Sequence, residues 1–150
     1  MKFFFAYSFS ALIDKETGLV DEKNRRFLED VRNSIIDRGE RVFLAHFREK
    51  WGKELMTADE CTLDDFKEMN ESDVILAFPG NPISGGVHIE LGWASALHKK
   101  IYIFLEKTAN YSPLITGLKT VTDVELVEIT EDFSVNSMID LVEKVIRERE

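Results

Sequence analysis

Between Asp73 and Leu97 the chain runs through an apolar segment, a turn-rich loop and a stretch of small residues, with Glu90 near the start of the last. Pro79, Gly80, Asn81 and Pro82 mark the turns. Ser84, Gly85 and Gly86 then let the backbone approach a ligand closely at a helix N-terminus, where free N–H groups seat a phosphate or a carboxylate. In the first turn or so of that helix, the dipole would keep the Glu90 carboxylate ionised at neutral pH. An ionised, rigidly held carboxylate is what nucleophilic attack on a glycosidic carbon needs. The same glutamate also reads as a favourable charge at a helix start and nothing more. His88, two residues earlier, is either a loop-facing ligand contact or a capped surface histidine. No Gly-Lys-Ser/Thr follows the loop and no GxGxxG fingerprint occurs, so ATP hydrolysis and dinucleotide hydride transfer are unsupported. One cysteine, Cys61, and three scattered histidines offer neither an internal disulfide nor a zinc site.

The elements that must position these residues are visible as two alternating segment types. Continuous apolar runs at Phe3 to Tyr7, Arg41 to Ala45, Val74 to Phe78, Ile101 to Leu105 and Val124 to Ile129 suit strands buried on both faces. Phe27, Leu28, Val31, Ile35 and Ile36 share one helical stripe, which Gly39 is placed to stop. A closing amphipathic helix carries Val135, Met138, Ile139, Val142, Val145 and Ile146, with Ser134 as its N-cap. The order predicts an α/β domain over residues 1–150, a Rossmann/flavodoxin-like three-layer sandwich with a five-stranded parallel sheet. Ligands of such sheets bind beyond the carboxyl ends of the strands, at the point where strand order reverses. Four places then matter: Tyr7 to Ser10, the segment from His46 onward, Pro79 to Gly86, and the loop after Leu105. Ser8 and Ser10 fall in the first of these, where hydroxyls and N–H groups suit a phosphate.

The run from Ser84 through Glu90-Leu91-Gly92-Trp93-Ala94, continued by His98 to Phe104, resembles the nucleoside 2-deoxyribosyltransferase superfamily. Within it the likeness is to the 2'-deoxynucleoside 5'-phosphate N-hydrolases and the CMP hydrolases. The resemblance implies that Glu90 is the nucleophile, attacking C1' of a bound nucleotide, displacing the base and forming an ester that water resolves. It also implies that Asp65, eight residues before Asp73, holds the leaving base or carries its proton. The neighbouring Asp64 leaves that assignment open, and an N-cap or solvated charge after Thr62 is the structural alternative. Tyr7 is implied to sit near the ribose and to orient Glu90; otherwise it is an ordinary aromatic at a strand end. His46 is implied near the base or sugar, with Arg48 and Trp51 adding charge and a stacking face if they do not simply pack or solvate. No cofactor is implied, and a homodimer or higher homo-oligomer is. Two other readings stand beside this one: a TIR-like NAD glycohydrolase, from Phe3 to Ser10, and a nucleotide sensor without turnover.

Composition narrows the partners. Hydrophobic residues make up 44% and charged residues 31% of the 150, which is ordinary for a globular chain and excludes a disordered one. No apolar run approaches the ~20 residues that cross a bilayer. A net charge of −9 repels phosphate backbones and anionic lipid, so neither nucleic acid nor membrane is an expected partner, and a small nucleotide or nucleoside is. Ser8 and Ser10 interrupt the apolar start, which argues against a signal peptide; a soluble, cytoplasmic protein is expected.

Overall fold

A computed structural model describes residues 1–9, 12–80 and 83–149. Ser10, one of the residues expected to bind phosphate, and the turn residues Asn81 and Pro82 lie outside the described residues. The chain forms β1 (Lys2–Tyr7), α1 (Glu22–Asp37), β2 (Arg41–Phe43), α2 (Ala45–Arg48), α3 (Ala58–Glu71), β3 (Val74–Phe78), α4 (Gly85–Ala96), β4 (Lys100–Glu106), α5 (Pro113–Thr116), β5 (Val124–Ile129) and α6 (Val135–Arg147). Short 3-10 turns occupy Lys50–Gly52 and Leu118–Thr120.

All five strands are parallel, in the order β2-β1-β3-β4-β5. The α/β sandwich with a five-stranded parallel sheet is therefore as the alternation of apolar runs predicts. Strand parity divides its core in two. Phe3, Phe5, Leu76, Phe78, Tyr102 and Phe104 face α1 and α6. Phe4, Ala6, Ile75, Ala77, Ile101 and Ile103 face the side that carries α3 and α4. Strand order reverses between β1 and β3, where Tyr7 pairs with Phe78 at the carboxyl edge.

Two boundaries differ from expectation. β2 ends at Phe43, two residues early, because Leu44 and Ala45 bury themselves as the cap and first residue of α2. Helix α3 begins at Ala58, not after Thr62: Thr57 accepts from the Glu60 N–H and Glu60 reaches back to the Thr57 N–H, a capping box. Helix α1 stops at Gly39 as expected, with φ +76° and its N–H on the Ile36 carbonyl, although Ile36 itself is exposed.

The connection after β1 folds back as a clasp. Ile13 bridges Val20, and Asp14 Oδ1 accepts the N–H groups of Glu16 and Thr17 at 2.9 and 2.8 Å. The Val20 N–H donates to the Trp51 carbonyl at 3.0 Å, which ties the clasp to the 3-10 turn. Gly52, at φ +99°, must be glycine there, since a Cβ would lie 2.6 Å from the Gly18 carbonyl oxygen. Trp51 is buried in the core with the Arg25 guanidinium over its ring, so it is no stacking face for a ligand.

Candidate active site

At the carboxyl edge of the sheet, on the α3/α4 side of β1, a cleft of about 620 Å³ opens. Glu90, Asp65, Tyr7, Ser84 and Gly86 line it together, with Arg48, Glu49, Met56 and Cys61 completing the walls. Val87, Leu91 and Ala94 form the buried stripe of α4 against β3 and β4, and Glu90 stands beside that stripe, turned to the cleft. Ala94 is buried in the core that α4 shares with the sheet, whereas the expected close approach does not extend to Gly92, which is exposed and where a Cβ would meet nothing within 4 Å.

The structure corrects the expected charge state of Glu90. The first turn of α4 contains no acidic residue, because Gly85 opens the helix and Glu90 lies a turn beyond the free amides. Burial, reinforced by the negative charge of Asp65, pushes its carboxyl up to about 8, and Arg48 only partly offsets this. In the ligand-free protein at neutral pH Glu90 is mostly protonated.

Asp65 lies mid-helix on α3 and is neither an N-cap nor a solvated charge. The Arg48 guanidinium Nη1 donates to Asp65 Oδ1 and to Asp64 Oδ2, each at 2.7 Å. Burial raises the Asp65 carboxyl above the ordinary carboxylate range, opposed by the Arg48 hydrogen bond and charge. Both aspartates thus meet one arginine, and only Asp65 lines the cleft. Arg48 was the residue that reading from sequence undervalued. The signal for it is charge matching, since Asp64-Asp65 needs a cation and Arg48 at the end of α2 supplies it.

Ser84 caps α4, its Oγ accepting the Val87 N–H at 3.3 Å, and Gly85 and Gly86 are the first residues of the helix. A Cβ on Gly86 would meet only Ser84 Oγ, at 3.9 Å, so there is room for a side chain at this position of the cleft wall. Gly86→Ala should therefore keep or raise thermal stability, alanine being the better helix former by up to about 1 kcal/mol. Calorimetry checks this, and a lowered Tm would mean that the helix start requires glycine.

The remaining expected residues lie elsewhere. His46 is not at a strand end but in α2, 1% exposed, with Nε2–H donating to the Ser8 carbonyl at 3.1 Å and its ring stacked on Phe9. Burial lowers its imidazole to about 4, so it is neutral and shapes the exit of β1 without lining the cleft. His88 turns back, Nδ1–H donating to the Ser84 carbonyl at 2.7 Å, and does not line the cleft either. Ser8 borders a second cavity on the other face of the sheet. Tyr7 borders both cavities; strand parity puts its ring with Phe5 and Phe78, and among the described residues no hydrogen bond joins it to Glu90. Its phenol is raised by burial and by the charges of Asp21 and Glu106. Among the described residues no group of His, Cys, Asp or Glu could hold a metal ion.

Residues 19–143 match the family model described as nucleoside 2-deoxyribosyltransferase. The chain belongs to that family. Its fold agrees with that of solved relatives. The chain is 34% identical to BlsM, with a TM-score of 0.79 over 98% of this chain and 90% of that one. It is 31% identical to the Clostridium botulinum CMP N-glycosidase BcmB, with a TM-score of 0.68 over 98% of each chain. A conserved protein from Enterococcus faecalis V583, 16% identical with a TM-score of 0.64 over 97% of this chain and 98% of that one, shares the fold. No curated protein matches the chain. As a nucleoside 2-deoxyribosyltransferase family member the chain is an enzyme of the nucleotide glycosyl hydrolase or deoxyribosyltransferase kind. No helix among the described residues is long and apolar enough to cross a membrane.

Proposed function

We propose that this enzyme cleaves the base–sugar bond of a ribo- or deoxyribonucleoside 5'-monophosphate through a covalent glycosyl–Glu90 intermediate. The observation that carries this reading is the buried Glu90 carboxyl sharing one cleft with Asp65 and the N-terminal end of α4. The proton that Glu90 holds at rest passes to Asp65, and a Glu90 carboxylate oxygen then bonds to C1' as the C1'–N bond breaks, whose electron pair leaves with the base. Asp65 supplies the proton the base takes up. Water then adds at C1' and gives its proton to the Asp65 carboxylate as the ester oxygen departs as the Glu90 carboxylate, leaving sugar phosphate and free base. The burial that disfavours a free carboxylate here favours the neutral ester, so the site's low polarity supports the intermediate.

The test is base release from a panel of ribo- and deoxyribonucleoside monophosphates, free nucleosides and NAD. CMP goes first because BcmB is a CMP N-glycosidase. Release from a monophosphate that disappears in Glu90→Gln supports the reading. Exchange of base only when a second free base is added would make the enzyme a transferase. Nicotinamide release from NAD alone would favour the TIR-like chemistry. Tight binding without turnover, unaltered by Glu90→Gln, would leave a sensor.

The proposal includes a second copy of the chain. Leu63 and Phe66 on α3 and Ile89 on α4 are exposed, and Phe66 meets Trp93 of α4 edge to face at 5.3 Å. The patch lies on the two helices that carry Asp65 and Glu90, so a copy seated there would border the cleft. Light scattering should give a dimer or larger assembly, reduced to a monomer by Phe66→Glu. A monomeric wild-type protein would refute it.

A further inference from the structure

The second cavity, of about 300 Å³, lies on the α1/α6 face at the same edge of the sheet. Its walls are aromatic: Phe78 and Phe104 stack in parallel, with centroids 4.3 Å apart and planes within 4°, and Phe133 stands at 60° to Phe104. Two opposite charges border it, Lys23 from α1 and Glu106 from the end of β4, and neither makes an ion pair among the described residues. The Asn24 amide adds a free oxygen, since its Nδ2 already donates to Asp21. Tyr7 is a wall of this cavity and of the catalytic cleft alike.

We infer that this cavity is a second ligand site, for a free nucleobase. Its size is at the small end for ligand pockets and suits one planar ring system without a sugar. Aromatic walls offer stacking and edge contacts to a planar heterocycle. Lys23 donates and Glu106 accepts, which matches the mixed donor and acceptor edge that every nucleobase carries. Glu106 opposes a phosphate, so the intact nucleotide fits poorly. That the occupant is the reaction's own product rests on the N-glycosidase reading; the site itself does not.

The experiment uses full-length, isotopically labelled Glu90→Gln, which should not turn substrate over, titrated with cytosine and with adenine and followed by amide NMR shifts. Shifts at Ser8, Lys23, Asn24, Glu106 and Tyr111 that persist under saturating nucleoside monophosphate support the site. Ile129→Trp, which fills the cavity from β5, should weaken base binding by about tenfold or more, and Lys23→Ala with Glu106→Ala should weaken it without touching the core. Three results would overturn the inference. They are shifts confined to Asp65, Met56 and Val87 and lost to the monophosphate, no shift with either base at millimolar concentration, or native-like base binding by a folded Ile129→Trp. Because the titration needs no turnover, failure of the catalytic reading leaves it readable, and failure of the second site leaves base release in the wild-type enzyme intact.

Discussion

Glu90→Gln should lose about four to six orders of magnitude in base release and gain stability in alkaline solution. The two effects have one cause. With a folded value of about 8 against 4.5 for an ordinary glutamate, the folded chain keeps a proton that the unfolded chain gives up. Stability therefore falls as pH rises through that window, and the loss is complete above the folded value. Glutamine is neutral throughout and does not incur it. The difference in Tm between variant and wild type should be small near pH 5 and grow to its full size above pH 8, measured by calorimetry in matched buffers. A Tm difference that stays flat across that range would mean that Glu90 is not a buried acid. Loss of turnover without that trend would separate the chemistry from the electrostatics.

The second large effect is a reversal in the pH dependence of kcat/KM. If Asp65 must be protonated and Glu90 ionised, the reactive form carries one proton between them, as does the resting form with the proton on Glu90. Both forms disappear when that proton leaves, so the wild-type rate should fall above about pH 8. Asp65→Asn cannot supply the proton and needs only an ionised Glu90. Its rate, lower by about one hundredfold, should rise with pH through the Glu90 value. The titration of the substrate phosphate, near ~6, lies well apart from that limb. A descending alkaline limb retained in Asp65→Asn would assign the proton to another group.

Much of the fold is legible because buried parallel strands announce themselves as continuous apolar runs, as β1, β3 and β4 do, whereas the edge strands β2 and β5 carry charged residues and are only partly buried. The exceptions have physical reasons. Leu44 and Ala45 extend the β2 run in sequence, yet a short apolar run does not distinguish a strand from the buried start of a helix. The Thr57–Glu60 box was readable and marks the true start of α3. Tyr7 shares its parity with Phe3 and Phe5, which already packs its ring against the α1/α6-side core even though the residue also borders the cleft. Glu90 was legible as a residue but not as an acid. Its proton affinity comes from a cleft closed by α2 and α3, and from Asp65, whose proximity no spacing reveals.

The bond between the clasp and the 3-10 turn has a mechanical consequence. Phe9, Ile13 and Gly18 wall the cleft on one side, and Arg48, Glu49 and Met56 continue that wall. The Val20–Trp51 hydrogen bond and the contact of Gly52 with Gly18 lock these segments into one stiff jaw. A ligand that entered by widening the cleft would then displace the opposite wall, which Ser84, Gly86 and Val87 supply at the start of α4, and with it the helix that carries Glu90.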